Sequence, residues 1–308
     1  MDKPTANVGI VLVHYGEVSA TLRCIDSLSA MASAPKVVVV NHDAYEYTRV
    51  LGERLAMRGL EGRVRQQGNK GFAAGCNTGI RIALALGAEY IWLLNNDTVV
   101  EPSALKELMA CAEKNPKSII GATVLDFEFP GTIQVAAGFR YHPFLSVIQA
   151  LHRGRPVGEI PSLSAEQLDY VYGASLFLPA SIYNRVGPFD ENFFLYYEEL
   201  DFCIRARRIG ATLLWCRDCK VRHVGGGAVQ TAAASTASYG LAAYHEARST
   251  LLFTRKHYPA ALPAVLFLRL FAKPILLLFR GKWRQLGAAN KGLLSGLIDA
   301  PGRNNQCD

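Results

Sequence analysis

Five consecutive apolar residues, Tyr90-Ile91-Trp92-Leu93-Leu94, stop abruptly at Asn95-Asn96-Asp97-Thr98. A run without polar alternation suits a strand buried on both faces, as in a parallel sheet covered by helices. In open α/β sheets, ligands sit beyond the carboxyl ends of the strands. Asp97 therefore falls where a hard oxygen could hold a divalent cation against a diphosphate. The same residue also suits a turn or a helix cap.

The surrounding pattern repeats strand and helix. Residues 8–13 and 37–40 read as strands, the second ending at Asn41-His42-Asp43. Residues 21–31 and 47–57 have helical spacing, residues 63–67 form a short polar strand, and residues 71–86 run from a glycine-rich start into a helix. A helix opens at Pro102-Ser103 after the Asn95–Asp97 strand. This rhythm predicts an α/β fold with a mostly parallel central sheet flanked by helices. Further on, residues 119–125, 170–178 and 212–216 read as strands, and residues 201–209 and 239–257 as helices. Residues 126–169, rich in Gly, Pro and His, are expected as long loops over the site, and Gly225-Gly226-Gly227 as a flexible break.

The chain of 308 residues, half of them hydrophobic, has room for one large domain and an appendage. Its net charge of +7 is uneven: residues 248–308 hold ten Lys/Arg against two Asp/Glu, and residues 1–247 hold 23 against 24. The basic excess is thus local to the C-terminal stretch, which points to one anionic contact rather than to nucleic acid. Seven scattered cysteines argue against a disulfide framework, and Cys216-x-x-Cys219 lacks the second pair that a zinc site needs. The N-terminal residues read straight into a strand rather than as a signal peptide, so a cytoplasmic setting is expected.

Residues 260–280 are apolar over nearly a membrane span, but Pro263, Arg269, Lys273 and Pro274 interrupt them. Two cations at mid-bilayer are costly, whereas at the interface they can reach headgroups. With Arg280, Lys282, Arg284 and Lys291, residues 259–291 are expected to meet an anionic membrane surface, peripheral at the inner face of the cytoplasmic membrane. The competing reading is a helix packed on the domain or on a partner subunit. The expected division is 1–258 for the main domain, with halves 1–125 and 126–258, and 259–308 for a basic amphipathic helical tail. Homo-oligomerisation stays open.

Two further features carry chemistry. Glu198, Glu199 and Asp201 follow the aromatic run Phe193-Phe194-Leu195-Tyr196-Tyr197, whose rings could raise a carboxylate's pKa by partial desolvation and so suit a general base. Acids at a helix start also meet its dipole favourably. His223 precedes the three glycines and could complete a metal site, or serve as an ordinary packed histidine. Neither G-x-G-x-x-G nor G-x-x-x-x-G-K-[ST] occurs, which sets aside dinucleotide-binding oxidoreductases and P-loop enzymes.

Taken in order, these motifs make residues 7–258 resemble an inverting family 2 glycosyltransferase of the GT-A fold, in its rhamnosyltransferase-like branch. Ile10-Val11-Leu12-Val13-His14-Tyr15 resembles the strand that leads to the nucleotide base, and Asn69 to Gly79 the glycine-rich segment. Leu94-Asn95-Asn96-Asp97-Thr98 resembles a relaxed DxD motif, Gly173-Ala174 and Gly187 to Glu191 the acceptor side, and Glu198-Glu199-Leu200-Asp201 the late acidic motif. Val221-Arg222-His223, Tyr244 and Arg248 match the motifs that follow.

The resemblance implies a nucleotide-diphosphate sugar as donor, dTDP-rhamnose first, and a glycan or lipid-linked acceptor. Mg²⁺ or Mn²⁺ would sit on Asp97 and His223. Glu199 would be the base, with Glu198 and Asp201 orienting it. His14, Tyr15, Asn41, Asp43, Gly71, Phe72, Asn77, Asn95, Asn96 and Arg248 would bind the donor, with Gly75 also shaping the pocket. Three positions depart from the pattern: Asn41-His42 stands for Asp-Asn, Asn95 for the first acid of DxD, and Glu199 for an aspartate. The alternatives are a UDP-sugar donor (galactofuranose or glucose), a nucleotidyltransferase, and a glycan-binding scaffold with a decayed site. His14-Tyr15-Gly16-Glu17 lacks the basic glycine loop that a nucleotidyltransferase would carry.

Overall fold

The computed structural model describes residues 7–31, 35–159, 167–225, 236–279 and 284–299. The first half alternates as its sequence predicts: β1 (Val8–His14), α1 (Val18–Leu28), β2 (Lys36–Asn41), α2 (Tyr45–Met57), β3 (Gly62–Gln66), α3 (Phe72–Ala85) and β4 (Tyr90–Asn95). Strands β3, β2, β1 and β4 lie side by side and parallel. Alternate residues of β1 and β4 enter two cores. Ile10, Leu12, Trp92 and Leu94 pack under α1 and α2, while Val11, Val13, Ile91 and Leu93 pack under α3. Burial on both faces is what an unbroken apolar strand requires.

After β5 (Thr98–Val100), α4 (Ala104–Lys114) and β6 (Ser118–Asp126), the structure departs from expectation. Residues 126–169 are not only loops: they hold β7 (Ile133–Ala136), β8 (Gly138–His142) and β9 (Val147–Ala150). Strand β7 pairs antiparallel with β6, and β8 with β9. Apolar alternation in Ile133-Gln134-Val135 carried that signal, beneath the glycines and prolines around it. The strand expected over 170–178 is two, β10 (Tyr170–Val171) and β11 (Ser175–Pro179), parted by a turn in which Ser175 N–H donates to Tyr172 O at 3.0 Å.

Strand β11 runs antiparallel between β4 and β6. Next come α5 (Ala180–Val186), α6 (Glu198–Arg208) and β12 (Thr212–His223). Strand β12 is longer than expected, running parallel to β6 through a bulge between Cys216 and Lys220 and then pairing antiparallel with β5. That extension carries His223 back to the Asn95–Thr98 turn, opposite Thr98.

Helix α7 (Thr236–His257) leads to a 3₁₀ turn (Pro259–Ala261), α8 (Leu262–Phe267), a π-helical turn (Leu268–Ala272), α9 (Lys273–Phe279) and α10 (Arg284–Ile298). Ala247 and Leu251 of α7 form a small core with Ala261, Val265, Ala289 and Leu293, so α7 is shared by the main body and the tail. Arg269 and Lys273 do not point outward, as a headgroup-reaching role requires. Both pair with Glu246 of α7, and Arg269 is buried. A carboxylate in reach gives both cations a shared counter-charge inside the fold, which the apolar run alone could not reveal. Among the described residues, no helix is long and apolar enough to cross a membrane. Gly226 and Gly227 lie outside the described residues.

Candidate active site

Strands β1, β2 and β4 deliver His14, Asn41 and Asn95 to one edge of the sheet, with the register His14–Asn41 and Val13–Asn95. A chain of hydrogen bonds ties these ends together. Asn96 Nδ2 donates to Thr21 Oγ1 at 2.9 Å, and Thr21 Oγ1 lies 2.7 Å from His14 Nδ1. His14 is fully buried and its Nε2 has no hydrogen-bond partner; burial holds its pKa down despite Asp43 nearby. Asp43 clasps two loops, accepting from Gly16 N–H at 2.9 Å and Ala44 N–H at 2.7 Å. Tyr15 stands partly exposed at this rim.

His223 reaches the same edge with its tautomer assigned by its neighbour. Gln134 Nε2 donates to the His223 carbonyl at 3.3 Å, which turns Gln134 Oε1 toward Nδ1 at 2.6 Å. Nδ1 therefore acts as the donor, and in the neutral imidazole Nε2 offers its lone pair. Nε2 accepts from Asn95 Nδ2 at 3.2 Å and faces Asp97 Oδ1 at 3.1 Å. Two acceptors at that separation repel unless a proton or a cation lies between them. Neighbouring ligands on a small octahedral cation with bonds of about 2.1 Å sit roughly 3 Å apart, so the pair fits a divalent ion. Among the described residues, no group of three or more His, Cys, Asp or Glu could hold a metal ion. One or two protein ligands plus substrate phosphates is the usual arrangement for Mg²⁺.

The acidic motif opens α6 from two residues in the left-handed region, Tyr196 (φ 67°) and Tyr197 (φ 72°). Such backbone costs about 1–3 kcal/mol per residue and persists only where packing dictates it. Tyr197 is locked by Tyr141 and Phe253 and accepts a hydrogen bond from Thr250 Oγ1 at 3.0 Å. The glycine-rich segment touches the same run: Phe72 N–H donates to Phe194 O at 2.8 Å, and a Cβ on Gly71 (φ 93°) would lie 2.4 Å from that oxygen. Gly71 and Phe72 thus brace the acidic motif.

Glu198 is buried, and its Oε2 has no hydrogen-bond partner. Burial first, and then the charge of Glu199, pushes its pKa well up. Glu199 is half-buried, and burial raises it to about 7 against the hydrogen bonds from its own backbone and from Glu198. Near neutrality the pair keeps one proton on Glu198 and leaves Glu199 poised as a base. The Glu199 carboxylate lies over Gly173, where a Cβ would sit 2.0 Å from Oε1.

Tyr172 joins the two halves. Its hydroxyl is 3.5 Å from His223 Nδ1, and burial, Asp97 and Glu199, in that order, raise its pKa. Asp97 and Glu199 therefore lie within electrostatic reach of one phenol. Tyr172, Gln134 and Glu199's contact with Gly173 were not singled out from the sequence; Gln134 lay in a stretch read as loop.

Several expected site residues are committed elsewhere. All the polar atoms of Asn77 are engaged by Phe189, Glu191 and Tyr183, and Gly75 gives room to Val13 and His42, so both hold α3 in place rather than line a pocket. Arg248 is bound by Asp299 at 2.8 Å and by Asn192 O at 2.7 Å, which corrects the expectation that it contacts a donor. Asn41 is turned inward to Ala44, Thr48 and Gln66, and its Oδ1 accepts from Asp43 N–H; it shapes the loop rather than offering a free amide. Asp201 is buried among Arg205, Lys256 and His257. Burial would raise its pKa, but the His257 hydrogen bond, Arg205 and Lys256 outweigh that and hold it at about 2. Asp201 therefore pins α6 to α7, and any influence on Glu199 is through the helix.

A mixed sheet of this order, with acids gathered at the carboxyl ends of its strands, defines a GT-A type α/β fold. Residues 9–155, just under half of the chain, match the Glycosyl transferase family 2 domain. It is 29% identical over 156 residues to the low-salt glycan biosynthesis hexosyltransferase Agl10 of Haloferax volcanii, covering 49% of this chain and 47% of that one. It is 22% identical over 195 residues to the dTDP-rhamnosyl transferase RfbF of Shigella flexneri, covering 62% of each. The chain thus spans about half to three-fifths of the length of these relatives. In solved structures it is similar to GalNAc-T7 with UDP, GalNAc and Mn²⁺ (TM-score 0.66, 11% identity, 96% of this chain and 56% of that one). It is also similar to the mannosyltransferase PcManGT of Pyrobaculum calidifontis with GDP-Man and Mn²⁺ (TM-score 0.57, 13% identity, 96% and 88%).

Proposed function

We propose that this protein is an inverting, metal-dependent glycosyltransferase that moves a sugar from a nucleotide diphosphate to an acceptor hydroxyl. The observation that carries the reading is that the Asp97–His223 pair and Glu199 all lie within reach of one buried phenol, Tyr172. Asp97 Oδ1 and His223 Nε2 would hold Mg²⁺ or Mn²⁺, which neutralises charge on a departing diphosphate. Gln134 keeps the His223 tautomer that this requires. Glu199 takes the proton of the acceptor hydroxyl as its oxygen bonds to the anomeric carbon and the bond to the diphosphate breaks on the opposite face. Glu198, holding its own proton, steadies Glu199.

The donor we assign is dTDP-rhamnose, supported by the resemblance and by the RfbF relative. A UDP-sugar is the alternative, since GalNAc-T7 carries UDP. A decayed, glycan-binding scaffold is a third reading, favoured by Asn41 and Asn95 standing in the places of acids. The acceptor is assigned as a lipid-linked or cell-surface glycan precursor, met at the inner face of the cytoplasmic membrane.

The test is a screen of nucleotide sugars for nucleoside diphosphate release, run on wild type and on Glu199→Gln. Transfer should fall by at least about a hundredfold in the variant, as expected for loss of a general base, while binding of the nucleoside diphosphate with Mn²⁺ persists. Undiminished transfer in Glu199→Gln would place the base elsewhere. Failure of wild type to release diphosphate from any donor while still binding glycan would favour the scaffold.

A further inference from the structure

Helices α8 and α9 and the π-turn between them have two faces. Val265 and Arg269 face α7, where Arg269 and Lys273 are taken up by Glu246. Phe267, Leu270, Phe271 and Ile275, spaced three and four apart, stay exposed; Phe267 is 63% and Phe271 58% open, with their rings 5.2 Å apart. The tip of the β8–β9 hairpin is held against this helix. Arg269 Nε donates to Ser146 Oγ at 3.1 Å and Nη2 to Ser146 O at 3.3 Å, with Ser146 itself in the left-handed region. The residues around that clamp, Phe144 (60%) and Leu145 (55%), are exposed like the helix face. Exposed apolar residues gathered on two elements that are clamped together mark an interaction surface.

Charge selects the occupant. No Asp or Glu occurs between residues 247 and 298, whereas nine Lys/Arg do. Arg248, Arg255, Lys256, Arg269 and Lys273 are engaged within the fold. Arg280, Lys282, Arg284 and Lys291 follow the apolar face in sequence, with Trp283 among them, and Lys291 is exposed. A second copy of this chain would bring the same positive stretch against itself. An anionic bilayer meets both the rings and the cations.

We propose that the α8–α9 face and the β8–β9 hairpin tip form a two-element platform that seats on an anionic lipid surface, with Arg269 as the internal clamp that keeps the two in register. The platform deepens the membrane side of the proposed function, yet its test needs no substrate. The full chain is mixed with vesicles of phosphatidylcholine alone, or of phosphatidylcholine with phosphatidylglycerol, and floated on a density gradient. Wild type should float with the anionic vesicles, less so at high salt, and little with the neutral ones. Phe271→Glu on the helix and Leu145→Glu on the hairpin should each reduce the bound fraction several-fold, with melting temperature and nucleotide binding unchanged.

Equal binding to neutral vesicles would overturn the charge argument, and undiminished binding of Leu145→Glu would remove the hairpin from the platform. A dimer in light scattering that both substitutions abolish would assign the face to a second copy instead. Transfer activity that survives loss of vesicle binding leaves the catalytic reading intact, so the two proposals fail separately.

Discussion

Two carboxyl groups at the start of α6 cannot both be charged where they sit. Glu198 Oε2 is buried without a partner, and Glu199 rests over Gly173 with its pKa raised to about 7 by burial. A base is useful only when deprotonated, so transfer should be low on the acid side of about 7, rise through that value and level off above it. A rate profile with saturating donor and metal checks this; a profile already flat from pH 5 upward would detach the rate from Glu199. The residue-level expectations divided along a physical line. Asp97, His223 and Glu199, the proposed working groups, stand out in the sequence because carboxylates and an imidazole at strand ends and helix starts are seldom needed there together. Arg248, Asn77 and Asp201 looked alike in sequence but are satisfied by distant partners, Asp299, Phe189 and His257, that no local pattern announces.

At the scale of elements, the acidic helix is aimed by what lies under it. The turn between β10 and β11 puts Gly173 against the Glu199 carboxylate, and a methyl group there would displace Oε1 from a 2.0 Å contact. The atom that must move is the end of a flexible side chain, so Gly173→Ala should fold normally. A misplacement of about 1 Å in a catalytic group costs on the order of a hundredfold. The expected outcome is a 10- to 100-fold loss of transfer, by the same reasoning, with an unchanged circular dichroism spectrum. Wild-type activity in that variant would mean the base is not held where it appears. The alternation of strands and helices in the first half was readable, β1, β2 and β4 from apolar runs of four to six residues. The hairpin of β8 and β9 was not, because its glycines, prolines and exposed faces blur the alternation that marks a strand.

For the whole molecule, the proposed cation site draws on segments 126 residues apart, Asp97 and His223, with Gln134 from a third. If a divalent ion joins them to a diphosphate, the ligands bind the native state as a unit. Mn²⁺ together with dTDP or UDP should then raise the melting temperature more than either alone, since a ligand at a hundredfold excess over Kd stabilises the native state by about 2.7 kcal/mol. Asp97→Ala should remove that increment while leaving the unliganded melting point near wild type. Equal stabilisation by nucleotide with and without Mn²⁺ would argue against a metal bridge.

The order of strands and helices in the first half, the acidic turn at Asp97, the pair at Glu198–Glu199 and the basic, apolar C-terminal stretch could all be read from the chain alone, since each depends on periodicity or charge within a few residues. Only the tertiary structure decided which polar groups stay available for chemistry and which are used up in holding the fold. Arg269 and Lys273 turned inward because Glu246, one helix away, pairs with both. His223 offers its Nε2 because Gln134 takes its Nδ1. Those choices rest on contacts between residues far apart in sequence, and a chain read one window at a time has no access to them.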